Sequence, residues 1–106
     1  MFQTKTSSVD SDSLMNHVAA VMPDVIALRR HLHAYPELSG HEEKTAAHVA
    51  RLLESKGIPV QSGIGGHGLL STIRVSEDRP WVALRADMDA LPMSDGKKTC
   101  AYASTV

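Results

Sequence analysis

An apolar stripe with helical spacing in the first third of the chain constrains the fold more than any other feature. Its six members recur at alternating steps of four and three residues, so they share one helix face: Leu14, Val18, Val21, Val25, Leu28 and Leu32. We expect Asp12 or Ser13 to cap this helix. Pro23 is expected to kink or break it near Met22, and Tyr35-Pro36 is expected to end it. The stripe predicts a helix that packs on an apolar core; binding of a partner protein is the alternative.

A second helix is predicted to begin at a capping box. Ser39 and Glu42 are spaced so that each side chain can accept a hydrogen bond from the other residue's backbone amide. Four apolar residues at helical spacing then form one face: Ala46, Val49, Ala50 and Leu53. Gly57 is expected to end this helix.

Extended segments are predicted in the second half of the chain. One lies around Val60, a second runs over residues 69–75 after a glycine-rich turn, and the strongest strand pattern covers residues 81–89. Helices followed by strands indicate an α/β class. We therefore expect two helices and then about three strands.

Composition and charge restrict the environment and the partners of the chain. Residues 1–13 are rich in Ser, Thr and Asp and are expected to form a disordered tail, with the domain covering residues 14–106. The net charge of −1 gives no electrostatic reason to propose nucleic acid or an anionic membrane as a partner. The single cysteine, Cys100, excludes an internal disulfide and favours a reducing compartment. No apolar run approaches the roughly 20 residues of a membrane helix, so we expect a cytoplasmic protein.

Two aspartates in the strongest strand pattern are the candidate chemical groups. Because side chains alternate across a strand, Arg85, Asp87 and Asp89 share one face. In a regular strand the two carboxylates would lie about 7 Å apart, and like charges at that distance favour a cation between or beside them. Arg85 is one candidate for that cation. The alternative is a metal ion or a metal-bound histidine supported by a carboxylate, in keeping with ligand sites at the carboxyl ends of strands.

The six histidines are spaced unfavourably for a shared metal ion. His31 and His33 are two residues apart on a helix and point to roughly opposite sides. His41 and His48 would be about 10 Å apart along a helix axis, too far for bonds of about 2 Å to one ion. We therefore expect solvent-facing or helix-capping histidines and assign no metal ligand to this chain.

The glycine-rich turn formally matches a dinucleotide-binding motif. Residues 63–68 read G-x-G-x-x-G, and Asp87 follows at the distance expected for an acid that binds ribose. That function requires the glycines to open a helix whose amides receive the pyrophosphate. A β-rich run follows here instead, so the sequence favours a glycine turn that leads into a strand, with dinucleotide binding through Gly63–Gly68 as an alternative.

Three stretches in this order and spacing resemble the N-terminal part of one family of hydrolases. The stretches are residues 29–39, residues 63–68 and residues 84–92, and the likeness extends from about residue 22 to the end. The family comprises hippurate hydrolase, the N-acyl-amino-acid amidohydrolases and the indole-acetyl-amino-acid hydrolases, within the aminoacylase and carboxypeptidase superfamily. The resemblance implies an α/β fold, here the N-terminal part of a zinc-peptidase-like catalytic domain.

The resemblance also implies a reaction. Members of the family cleave the amide bond of N-acyl amino acids with water activated at a pair of divalent metals such as Mn, Zn, Co or Ni, while a glutamate acts as general base. The acid at the position of Asp89 supports the metal site, and other branches of the superfamily carry a histidine ligand at the position of Asp87. Asp89 and Asp87 are therefore the candidate site residues of this chain.

The sequence departs from the family where the metal ligands are expected. The family's Cys-Gly-His-Asp-x-x-His signature lies downstream of the matching stretches, and Cys100 is no substitute because no histidine follows two residues later. We expect an incomplete catalytic domain that binds no metal and is inactive alone, since the metal pair and the N-acyl amino acid belong to full-length members. The alternative is a non-catalytic module that associates with another chain, or with itself, through exposed strand edges.

Overall fold

The computed structural model describes residues 10–96 and 99–105. Two helices precede a two-stranded antiparallel sheet, in the order α1 (Ser11–Ala34), α2 (Glu43–Ser55), β1 (Val60–Ile64) and β2 (Gly68–Ser71). This small α/β arrangement confirms the predicted order of helices before strands. Most of the predicted tail, residues 1–9, lies outside the described residues, and residues 11–13 belong to the first turn of α1.

Helix α1 begins earlier than predicted and runs through its proline. Asp10, not Asp12 or Ser13, is the N-cap, because its carboxylate accepts from the Asp12 amide at 3.3 Å. The helix is continuous across Pro23, so the break predicted near Met22 is wrong: a 24-residue helix absorbs the loss of one backbone donor. Tyr35 is the C-cap, which confirms the predicted end.

The apolar stripe of α1 is largely exposed. None of the residues of this helix, all of them described, is buried, and Leu14 and Val21 are each 52% exposed. Only Leu28 and Leu32 at the C-terminal end are half-buried, and they line a cavity with residues of α2. Packing on a core was therefore a wrong prediction for the first part of the stripe, because no other described element extends along it.

Helix α2 begins without the predicted capping box. Its N-cap is Glu42, whose carboxylate accepts from the Gly40 amide at 2.9 Å instead of the Ser39 amide. The box does not form because residues 38–41 make a turn, in which His41 N donates to Leu38 O. Instead of the capping box, the carboxylate of Glu37 accepts hydrogen bonds from the backbone amides of Lys44 and Thr45 at the start of α2.

The apolar face and the end of α2 are as predicted. Ala46 is buried, and the other members of the predicted face are half-buried: Val49, Ala50 and Leu53. Gly57 follows the C-cap with φ of +77°, a left-handed conformation that glycine adopts without steric cost.

The glycine-rich turn joins β1 to β2, as the sequence favoured. Val60 pairs with Ser71, and the register shifts between Ser62 and Ile64. A methyl group at Gly68 would overlap the carbonyl oxygen of Ile64, so this position requires a glycine. Since a strand and not a helix follows the turn, the dinucleotide-binding alternative lacks the helix N-terminus that it needs.

The segment from Trp81 to Asp89 is not a strand, contrary to the prediction. Its only backbone pairing among the described residues is at its end, where Leu38 and Ala90 form an isolated parallel bridge. Leu84 is 96% exposed and Val82 is 84% exposed. The alternating pattern is present, but no described segment lies alongside to form a ladder. For the same reason the β-like run predicted over residues 69–75 ends at Ser71. Among the described residues, no helix has the length and apolar character to cross a membrane.

Candidate functional site

A groove is lined by the second and third of the stretches on which the family resemblance rests, and by Ser39 at the end of the first. It lies between the start of α2, the hairpin turn and the segment of residues 85–89, here called the aspartate segment, and its volume is about 670 Å³. The turn before α2 contributes Ser39 and Gly40, and Glu42 is the N-cap of that helix. The turn contributes residues 64–68, including His67, and the aspartate segment contributes both candidate aspartates. Stretches far apart in the sequence therefore form one surface.

Asp87 is paired with a neighbouring cation. Its carboxylate accepts from Nη2 of Arg85 at 2.9 Å, and both side chains are largely exposed. The two residues are two positions apart in the sequence. Arg85 thus neutralises the charge of Asp87, which is one of the two interpretations that the strand pattern allows. An exposed pair of this kind contributes at most about 1 kcal/mol, so it orients the two side chains more than it stabilises the chain.

Asp89 faces the groove without such a partner. Among residues 10–96 and 99–105, no basic side chain lies within ion-pair distance of its carboxylate. The backbone directly after it is fixed, since Ala90 N donates to Glu37 O at 2.7 Å. Of the two candidate aspartates, Asp89 is therefore the one that remains available to a cation or to a protonated imidazole.

The donor set of the described residues is too small for a metal pair. No three His, Cys, Asp or Glu side chains within them lie close enough together to hold an ion. Asp87 is engaged with Arg85, and Asp89 alone offers one or two oxygens where an ion needs at least three or four protein ligands. These residues do not by themselves fit the metal centre that the resemblance implies.

The histidines contact one another and the end of the chain in ways that sequence spacing did not predict. The rings of His31 and His48 stack across the two helices with centroids 3.9 Å apart. Burial lowers the pKa of His48, and the nearby His31 and Arg51 lower it further. Nε2 of His33 lies 2.8 Å from Oδ2 of Asp95. Spacing along one helix says nothing about contacts between helices, which is why these pairs were missed.

Residues after the aspartate segment fold back onto the end of α1. Asp95 also accepts from the Ser104 amide at 3.1 Å, and Thr105 N donates to Ala34 O at 2.9 Å. The guanidinium of Arg30 lies 4.8 Å from the centre of the Tyr102 ring. Cys100 also lies in this region and is half-buried.

Glu37 is the residue near the groove that the sequence analysis overlooked. Its carboxylate accepts from the hydroxyl and the amide of Thr45 at 2.6 and 2.5 Å and from the Lys44 amide at 3.2 Å. The pKa of Glu37 is lowered, first because the Thr45 hydroxyl donates to it; partial burial opposes this, and the two amides reinforce it. An acidic residue shortly before a predicted helix start was the available signal, since helix N-termini favour negative charge.

Comparison with known proteins identifies relatives of the chain. It is 53% identical over 83 residues to the putative amidohydrolase YhaA of Bacillus subtilis, and the matched region covers 78% of this chain and 21% of that protein. It is 45% identical over 87 residues to the N-acyl-L-amino acid amidohydrolase of Geobacillus stearothermophilus, covering 82% of this chain and 23% of the relative. It is 39% identical over 88 residues to the N-acetyl-L-cysteine deacetylase of Bacillus subtilis, and this match covers 83% of this chain and 21% of the relative.

The chain is a homologue of these amidohydrolases. The family resemblance inferred from the three stretches is thereby confirmed, and the homologues are named as hydrolases. The chain spans about a fifth of the length of the curated relatives that it matches. No family model and no solved structure matches it.

Proposed function

We propose that this chain contributes part of a zinc-peptidase-like catalytic domain that hydrolyses the amide bond of N-acyl amino acids with the help of divalent metals. The observation that carries the proposal is the groove, which is lined by the second and third family stretches and by Ser39 at the end of the first, and at which the Asp89 carboxylate has no basic partner among the described residues. In this proposal Asp89 supports a metal centre, while Asp87 is held by Arg85 at the edge of the groove.

The substrate class follows from the relatives' names. One relative is named as an N-acyl-L-amino acid amidohydrolase and another as an N-acetyl-L-cysteine deacetylase. Both names describe an acyl group joined to the nitrogen of an amino acid. We therefore propose an N-acyl amino acid as substrate, with the hippurate type, an aromatic acyl group on glycine, as the first compound to test.

We further propose that residues 1–106 alone are inactive. The purified chain should not hydrolyse N-benzoylglycine or N-acetyl amino acids, with or without added Mn, Zn, Co or Ni, because no three potential ligands cluster among its described residues and a metal needs several. Product formation is measured by amine release over a series of protein concentrations. Turnover proportional to protein, abolished by a chelator, would contradict the claim of inactivity.

A chimera tests the proposed reaction. The 87 matched residues of the Geobacillus stearothermophilus amidohydrolase are replaced by their counterparts from this chain, of which 45% are identical. We expect the chimera to hydrolyse N-acyl amino acids at a rate within about tenfold of the parent, because the remainder of the catalytic domain is the parent's own and should keep most of the transition-state stabilisation. A chimera that folds, as judged by circular dichroism, but has no activity would overturn the proposal.

A second candidate function is association with another chain, including self-association. The observation in its favour is exposed apolar surface: the segment over residues 81–84 has no strand partner, and Leu84 is 96% exposed. In the described part of the chain Thr45 and Ala46 are the buried residues, and a cavity of about 650 Å³ separates the helices from the aspartate segment. Unpaired extended backbone beside exposed apolar side chains favours pairing with another segment.

Substitution in this segment tests association. Leu84→Lys should reduce the average mass measured by light scattering over a concentration series, because a charge opposes burial of the segment. Val75→Lys is the matched control, since Val75 is 87% exposed but lies outside residues 81–84. A monomeric wild-type chain, or equal effects of both substitutions, would count against association through this segment.

A further inference from the structure

Glu37 connects two parts of the groove through different atoms. Its side-chain carboxylate accepts three hydrogen bonds from the first turn of α2, two of them from Thr45. Its backbone carbonyl accepts from Ala90 N at 2.7 Å, directly after Asp89. One residue therefore joins the helix on one side of the groove to the aspartate segment on the other.

The aspartate segment has few other attachments. Residues 81–87 are exposed, and the Leu38–Ala90 bridge beside Glu37 is their nearest backbone pairing among the described residues. The contact between Arg85 and Asp87 lies within the segment and cannot fix it to the rest of the chain. Met88 is the half-buried residue of this segment.

We propose that Glu37 is a positioning residue: its side chain fixes residue 37 against α2, so that its carbonyl holds Ala90 and thereby sets where Asp89 projects into the groove. The significance of this for catalysis rests on the proposed function, but the positioning itself does not. The carboxylate is suited to the task because it accepts from helix amides at the positive end of the helix dipole. Its lowered pKa agrees with an acceptor that these donors stabilise in the charged form.

Amide hydrogen exchange on the chain itself tests the proposal without reference to hydrolysis. In Glu37→Ala the Ala90 amide should exchange about tenfold faster, the factor expected from losing a hydrogen bond to a charged acceptor. The Leu70 amide, in the hairpin and remote from Glu37, should be unchanged. Thr45→Val removes only the hydroxyl donor and should accelerate Ala90 exchange by a smaller factor, which keeps the test valid if Glu37→Ala does not fold.

Ala47→Gly separates positioning from general weakening of α2. Ala47 is exposed, so glycine there lowers helix stability without removing a contact of Glu37. We expect Ala90 exchange to stay at the wild-type rate in this variant. Equal acceleration in Ala47→Gly and Glu37→Ala, or an unchanged Ala90 rate in Thr45→Val, would overturn the proposal.

The pH dependence of the Ala90 amide signal distinguishes positioning by Glu37 from a general structural role of this residue. Because folding lowers the pKa of Glu37 below 4.5, its carboxylate contacts are complete above that pH and are lost as pH falls through the lower folded value. Asp87, Asp89 and Lys44 are the other charged groups close to these contacts, and they are present in both proteins, so the measured quantity is the difference between wild type and Glu37→Gln. The pH profile of the Ala90 amide signal should show one more titration step in the wild type than in Glu37→Gln. Identical profiles in the two proteins would refute the link between the Glu37 carboxylate and Ala90.

Discussion

In the chimera with the Geobacillus stearothermophilus amidohydrolase, Asp89→Asn is expected to lower kcat/KM by about 10- to 100-fold, the usual cost of removing a carboxylate that supports a metal ligand. Asparagine keeps the size and shape of the side chain, so the backbone at Ala90 and its bond to Glu37 should be preserved. What is lost is the negative charge of the aspartate segment that has no basic partner among the described residues. The effect is measured by steady-state kinetics with N-acyl amino acids.

Asp87→Asn in the same chimera is the matched control. Asp87 lies two residues away on the same segment, but its charge is already balanced by Arg85 at 2.9 Å. Its removal should therefore cost less than the removal of Asp89. Metal content by elemental analysis separates loss of metal from loss of turnover. Full activity in Asp89→Asn, or a larger loss in Asp87→Asn, would show that the roles of the two aspartates are assigned wrongly.

Gly68→Ala is expected to disrupt the hairpin and to destabilise the chain by about 1–3 kcal/mol, the usual cost of forced backbone strain. An added methyl group would overlap the Ile64 carbonyl oxygen, which belongs to backbone and cannot rotate away as a side chain can. The turn would have to open, and the hairpin wall of the groove would move with it. Urea unfolding followed by circular dichroism measures the loss, and the amide signals of β1 and β2 show where it occurs.

Gly96→Ala is the control for the glycine substitution. A methyl group at Gly96 meets nothing within 4 Å, and its φ is not in the left-handed range. The same substitution there should be neutral or slightly stabilising, because alanine restricts the unfolded chain. If the two variants had equal stability, the steric account of Gly68 would be incorrect.

Local signals in the sequence predicted the helices and turns well. The helical period, the proline after Tyr35 and the glycine at position 57 each act within a few residues, and the structure places helix ends there. The glycine turn was also predicted, because positive φ at Gly65 and Gly66 is a local backbone requirement. Capping was predicted less well: Asp10 and Glu37 were missed, since several acidic residues near each helix start could serve and local spacing does not select among them.

The pattern of residues 81–89 shows why alternation alone does not make a strand. Hydrophobic alternation expresses which face of a segment is suited to burial, but a strand requires neighbouring backbone for its hydrogen bonds. No described segment supplies that backbone, so Val82 and Leu84 remain exposed. The apolar stripe of α1 gives the same lesson, since its helical spacing predicted the helix correctly while its first half stays exposed among residues 10–96 and 99–105.

The sequence by itself determined the two helices, the glycine hairpin and the family, because these depend on short-range backbone preferences and on three recognisable stretches. The tertiary structure alone decided that parts of the three stretches line one groove, that Arg85 pairs with Asp87 and leaves Asp89 available, and that Glu37 connects α2 to Ala90. The physical reason is that these contacts join residues whose distance depends on how elements pack, and the periodicity of one element shows which of its faces packs but not which element it meets.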